Sequence, residues 1–212
     1  MQDGRPAPGE VFHDGPVTEP RRAATVILLR DGPDGLEVLL VQRNPRARFM
    51  GGAWVFPGGA VDPGEGHGEA AVRAAGVREL NEEAGIALRD ADELVAFSRW
   101  ITPARSKIRY DTEFFLAALP DGQEPRIDGS EIVAVCWSTP AAALDAAHSG
   151  EMLLVFPTIK TLEQLSAFTS VDGLVGHARD QPVRAVEPRV VGEGETARIV
   201  LPDERRGAAP PS

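Results

Sequence analysis

Residues 58–86, GGAVDPGEGHGEAAVRAAGVRELNEEAGI, decide how this 212-residue chain is read. The stretch ends in Arg78-Glu79-Leu80-Asn81-Glu82-Glu83-Ala84-Gly85-Ile86. Placed on a helix, Glu79, Glu82 and Glu83 fall at i, i+3 and i+4 and share one face. Carboxylates that close repel one another unless a cation lies between them. Their oxygens are hard ligands suited to Mg²⁺ or Mn²⁺, ions that bind phosphate oxygens at the same time. An acidic helix face is more often simply solvated, so the neighbouring residues decide. Upstream, Trp54, Val55 and Phe56 form an apolar run that breaks at Pro57-Gly58-Gly59 and reads as a strand ending in a glycine loop. Downstream, Gly85 suits a left-handed helix cap and Ile86 restarts an apolar segment.

This unit resembles the Nudix box, GxxxxxE, seven residues, then REUxEExGU with U aliphatic. Gly59, Glu65, Arg78, Glu79, Leu80, Glu82, Glu83, Gly85 and Ile86 match it. One departure stands out: residues 66–77 separate Glu65 from Arg78, five more than the pattern allows. Gly66, His67 and Gly68 place the insertion in the loop before the helix. Either Glu65 or Glu69 supplies the first glutamate, with Glu65 favoured because it follows Gly64.

The resemblance implies roles position by position. Glu82 and Glu83 are the expected main metal ligands, with Glu79 acting directly or through water and Glu65 and Gly59 completing the metal site. Arg78 is expected to hold a glutamate by charge-assisted hydrogen bonds. Gly58 and Gly59 would let backbone approach the site closely. The implied reaction is attack of water on a diphosphate, with Mg²⁺ or Mn²⁺ neutralising phosphate charge. A general base is also required, and Glu131, at the mouth of an expected strand, is the candidate. An ordinary exposed loop carboxylate is the competing reading of Glu131.

Substrate signals lie upstream of the box. Residues 39–59, LLVQRNPRARFMGGAWVFPGG, resemble the coenzyme A diphosphatase signature LLTxR(S/A)xxxRxxxGxxxFPGG. Leu39, Leu40, Arg43, Arg48, Gly52 and FPGG are in register, while Val41 replaces the threonine and Asn44 the Ser/Ala. Arg43 and Arg48, with Arg46 as a third guanidinium, are expected to meet phosphates. The layout of residues 99–103, 109–115 and 157–165 is similar to bacterial relatives of the peroxisomal coenzyme A diphosphatases. The expected substrate is therefore coenzyme A or an acyl derivative, giving 3′,5′-ADP and phosphopantetheine. ADP-ribose or NADH is the alternative within the class. A non-catalytic nucleotide sensor is the alternative outside it, and the intact glutamate trio argues against that.

Composition sets the frame. Charged residues make up 25% and hydrophobic ones 42%, ordinary for a globular domain. A net charge of −10 argues against a general nucleic-acid or anionic-membrane binder. The single cysteine, Cys136, excludes an internal disulfide framework and reads as a buried structural thiol. No stretch is apolar enough to span a membrane and the first residues lack a signal-peptide core, so a cytoplasmic enzyme is expected. A homodimer is expected from the family.

The expected fold class is α/β: alternating strands and few helices match the α/β/α sandwich with a mixed sheet that the Nudix resemblance implies, with additional C-terminal helices. Residues 1–20 are expected to form a flexible arm, 21–202 a single domain with a helical extension over about 151–180, and 203–212 a disordered tail. Strands are expected over 23–29 and 36–42, joined by the turn signature DGPDG, and over 53–56, 94–101, 108–118 and 132–138. Helices are expected over 69–84, after Thr139-Pro140 as N-cap and first residue, over 158–168 and over 171–179. Residues 182–202 read as extended. Trp54, Trp100 and Trp137 each lie in strand-like runs and are read as core.

Overall fold

The computed structural model describes residues 6–202 apart from positions 9, 14 and 128; the expected tail over 203–212 lies outside the described residues. The first long strand, β1 (Arg21–Gly32), turns through Pro33-Asp34 into β2 (Gly35–Arg43), with Gly32 paired to Gly35. Gly35 carries φ +110°, a conformation that favours glycine and closes the hairpin. β1 then pairs in parallel with β6 (Tyr110–Ala118), which pairs antiparallel with β5 (Val95–Ile101). The order β3-β2-β1-β6-β5-β8 gives a mixed sheet, with β3 (Trp54–Val55) at one end and β8 (Ala185–Val186) at the other. Off this path, β4 (Gly58–Ala60) pairs with β1, and β7 (Ile132–Ser138) pairs with β2.

β1 is a near-continuous apolar run because both of its faces are covered. Ala24, Val26 and Leu28 point to one side and pack with Val72, Ala75 and Leu80 of α1 (Gly68–Ala84). Ile27 and Leu29 point to the other, beneath α2 (Pro140–Ser149), α3 (Phe156–Leu165) and α4 (Val171–Arg179). The α/β/α sandwich follows from this two-residue alternation.

α1 sits close to β1 because its inner face is built of small residues. A Cβ on Gly76 would lie 3.3 Å from Val26 Cγ2 and 3.4 Å from the Ala24 Cβ. Arg73 fastens the same helix by donating to the Leu94 carbonyl at 2.7 Å. Gly85 ends it in the left-handed conformation at φ +66°, its N–H donating to the Asn81 carbonyl.

One reading is corrected here and one boundary moves. Gly58–Ala60 is a short strand rather than a loop, with Gly59 opposite Ala24 and Gly58 opposite Thr25. A Cβ on Gly58 would fall 2.8 Å from the Thr25 Cα, so the backbones approach as only glycine allows. The segment after Glu65 is short: only Gly66 and His67 precede α1, which starts at Gly68, one residue before the expected Glu69.

Elsewhere the elements shift at their ends. Thr139 caps α2 through the Ala142 N–H at 3.2 Å, as its position requires. α3 starts two residues before the expected Thr158, because Pro157 in the first turn loses no helical hydrogen bond. Ile159, Leu162 and Leu165 bury its inner face, and Phe168 lies beyond its end beside the His177 ring. Residues 182–202 form β8, β9 (Arg189–Val191) and β10 (Arg198–Val200), the last two paired as a small ladder. From the N-terminal arm, His13 donates to the Arg105 carbonyl, Lys107 donates to that of Val11, and Glu10 accepts from the Ser106 hydroxyl.

Candidate active site

The sheet register lays out a row of side chains across four strands: Ala60, Ala23, Thr112 and Trp100. This row floors a cavity of about 440 Å³, a volume typical of small-molecule sites. α1 brings Glu79, Glu82 and Glu83 to one end, beside Gly58, Gly59 and Ala60 of β4. Arg43 from the end of β2 and Glu131 from the start of β7 reach the same end.

Arg78 organises the carboxylates. Its Nε donates to Glu65 at 2.9 Å, its Nη1 to Glu79 at 2.7 Å and Glu82 at 3.0 Å, and its Nη2 to the Ala60 carbonyl at 3.0 Å. One guanidinium thus ties helix, loop and glycine strand together. These bonds, that to Glu65 foremost, hold Arg78 protonated even more firmly than usual. Burial pushes the Glu65 carboxyl up, but the bonds from Arg78 and the Asp62 N–H outweigh it and leave the group below the ordinary carboxylate range. Arg78 distinguishes the two candidate glutamates by contact. Glu65 is held there, whereas Glu69 pairs with Arg73 at 2.9 Å.

Glu83 is only 5% exposed. Its Oε2 accepts from the Gly58 N–H at 2.9 Å, and its Oε1 lies 3.7 Å from Arg43. Burial pushes its carboxyl up to about 7, assisted by the charges of Glu79 and Glu131 and opposed by Gly58 and Arg43. Burial also raises Glu79, against the pull of Arg78. Glu131 is more open and lies 3.3 Å from Arg43 Nη2. Arg43 keeps its Nε buried and without a hydrogen-bond acceptor among the described residues.

These oxygens suit a hard divalent cation in chemistry and charge, and burying Glu83 beside two further carboxylates asks for one. Among the described residues, no three His, Cys, Asp or Glu side chains are already drawn together as a ligand set. Arg78 Nη1 stands between Glu79 and Glu82 instead. Glu82, at 57% side-chain exposure, has room to turn from it.

The other anticipated residues divide. Gly59 lines the cavity, and a Cβ there would collide with the Glu79 carboxylate. Gly58 lines it and donates to Glu83. Arg46 and Arg48 are exposed and are not part of the wall, although Phe49 and Met50 of the same loop are. Residues that motif reading missed are Ala7 and Glu10 from the arm, Thr112 and Phe114 from β6, and Phe156, Pro188 and Ile199. No local pattern marks them, since each lines the cavity only by virtue of the tertiary fold. Trp100 is core, as its strand position indicates, and also closes the far end of the cavity.

Comparison with known proteins agrees with this geometry. Residues 19–157 match the NUDIX domain family. Nudix hydrolase 7 of Caenorhabditis elegans is 31% identical over 188 residues, spanning 72% of this chain and 63% of its own length. An acyl-coenzyme A diphosphatase, NUDT19 of Gallus gallus, is 25% identical over 257 residues, covering 74% of this chain and 68% of its own. The chain therefore spans about two thirds of these relatives. A NUDIX hydrolase structure from Alicyclobacillus acidocaldarius superimposes with a TM-score of 0.69 at 28% identity, covering 78% of this chain and 99% of that one. The matched span holds the whole box, from the glycine strand through Arg78 and its glutamates to Gly85, and the chain belongs to the Nudix hydrolase family.

Proposed function

We propose that this protein hydrolyses a diphosphate bond in a nucleoside diphosphate derivative, with coenzyme A or an acyl-coenzyme A as substrate. The observation that carries the proposal is the glutamate face of α1, with Glu83 buried against the Gly58 backbone at one end of a substrate-sized cavity. Glu79, Glu82 and Glu83 would hold Mg²⁺ or Mn²⁺, which supplies neutralisation of phosphate charge and a lowered pKa for the attacking water. Arg78 fixes the approach of Glu79 and Glu82 to the site. Arg43, with its spare donors, binds a phosphate oxygen and withdraws from Glu83 as it does so. Glu131, which lines the same cavity, takes the proton of the attacking water.

The coenzyme A assignment is supported by the residue 39–59 signature and by the name of the Gallus gallus relative. Arg46 and Arg48 are exposed on the loop that supplies Phe49 and Met50, and in this reading they bind the 3′-phosphate outside the cavity. A homodimer is the proposed assembly, to be checked by light scattering. No described helix is long and apolar enough to cross a membrane.

The test is hydrolysis of coenzyme A, acetyl-coenzyme A, ADP-ribose, NADH and nucleoside triphosphates with Mg²⁺ or Mn²⁺. Release of 3′,5′-ADP and phosphopantetheine well above the other rates supports the assignment. Preference for ADP-ribose or NADH keeps the hydrolase and removes the coenzyme A substrate. Nucleotide binding without turnover of any compound overturns the hydrolase reading.

A further inference from the structure

The two ends of the cavity differ in chemistry. The row Ala60–Ala23–Thr112–Trp100 crosses three strand spacings, about 14 Å, so the Trp100 end is well removed from the carboxylates. Most of the charge gathers at one end. Glu79, Glu82, Glu83, Glu131 and Arg43 gather at the β4 end, and Arg43 is the one cation in the described wall. The far end is closed by Trp100, Phe114, Phe156 and Ile199, with the Trp100 ring edge-on to Phe156 at 6.2 Å. The remaining charged wall residue, Glu10, already accepts from the Ala7 N–H and the Ser106 hydroxyl.

A second phosphate carried into the far end would meet no cation and would lose its hydration without replacement. A flexible uncharged chain meets apolar walls and a few threonine hydroxyls, and exchanges water for contact. We propose that the far end, walled by Trp100, Phe114, Phe156 and Ile199, binds the uncharged acyl-pantetheine arm of the substrate, leaving the phosphorylated nucleoside at the mouth. This rests on the coenzyme A reading of the site and adds to it an orientation and a selectivity. The scissile diphosphate lies over β4, the pantetheine runs along the sheet floor, and the thioester with its acyl group lies at the Trp100 end. Acylated substrates are then preferred to the free thiol, through KM more than through kcat, because the added contact lies far from the reacting phosphorus.

The experiment separates this from catalysis by using probes without phosphate. S-acyl-pantetheines of increasing chain length are titrated calorimetrically into the metal-free protein. Affinity should climb roughly fourfold for each of the first few methylenes, with a negative heat-capacity change. Thr112→Phe places a ring on the cavity floor between its two ends without removing a core contact. That variant should melt like the parent and lose the chain-length dependence. Affinity indifferent to chain length, or a folded Thr112→Phe protein that binds as the parent does, would overturn the orientation. Either result would leave diphosphate hydrolysis, measured separately on the substrate panel, untouched.

Discussion

Replacing Glu83 by Gln should stabilise the metal-free protein while abolishing its turnover. Glu83 is pushed up from 4.5 to about 7, chiefly by burial, so folding at alkaline pH requires an ionised carboxylate where a neutral one is preferred. The folded state binds this proton more tightly than the unfolded chain. The cost is therefore absent below about pH 4.5, grows as pH rises, and is complete above pH 7. It amounts to less than about 1 kcal/mol at pH 5 and about 3 kcal/mol at pH 8. Gln keeps an acceptor for the Gly58 N–H and carries no charge. For a chain of this length the gain at pH 8 corresponds to roughly 6–12 °C in Tm. Calorimetric melts in EDTA at pH 5 and pH 8 measure it directly, and a repeat with Mg²⁺ should stabilise the parent but not the variant. A Glu83→Gln protein that melts lower than the parent at pH 8, or gains equally at both pH values, would refute the account of Glu83 as a strained carboxylate awaiting a cation.

Four further outcomes follow from the geometry. Arg78→Ala removes the anchor shared by Glu65, Glu79, Glu82 and the Ala60 carbonyl, and should weaken metal binding roughly 10- to 100-fold in a fluorescence or calorimetric titration with Mn²⁺. Gly59→Ala pushes a methyl into the Glu79 carboxylate and should destabilise the fold by about 1–3 kcal/mol with loss of turnover, read by urea unfolding and by rate. Burial raises the Glu10 carboxyl against its hydrogen bonds from Ala7 and Ser106, so its contribution worsens as pH rises through the ordinary carboxylate range. Glu10→Gln should accordingly be more favourable to stability at pH 7 than at pH 4 in paired melts. Burial pushes the Cys136 thiol up to about 11, so alkylation by iodoacetamide at pH 8 should run on the order of a hundredfold slower in the folded protein than in urea.

Local chemistry is what the sequence conveys well. Glu79, Glu82 and Glu83 are read as one face of a helix, and α1 carries them so, because helical spacing is set by a few neighbouring residues. Gly85 as a cap, the Gly32–Gly35 hairpin and Thr139 as an N-cap are equally local and appear where expected. The sandwich that the resemblance implies also agrees with the near-continuous apolar run of β1, which suits a strand covered on both faces.

What the sequence could not supply depends on residues far apart in the chain. The glycines after Pro57 look like a loop because nothing local reports that β1 will lie against them. Glu65 is favoured over Glu69 on paper only by its place after Gly64, and their different partners, Arg78 for the one and Arg73 for the other, appear only in the fold. Arg43 and Arg48 belong to one motif, yet the turn after β2 sends the first into the carboxylate end and leaves the second in solvent. The apolar far end draws Trp100, Phe114, Phe156 and Ile199 from four separate elements. A helix face is written in i, i+3 and i+4, but a cavity wall is written only in which strands pair and which helices cover them.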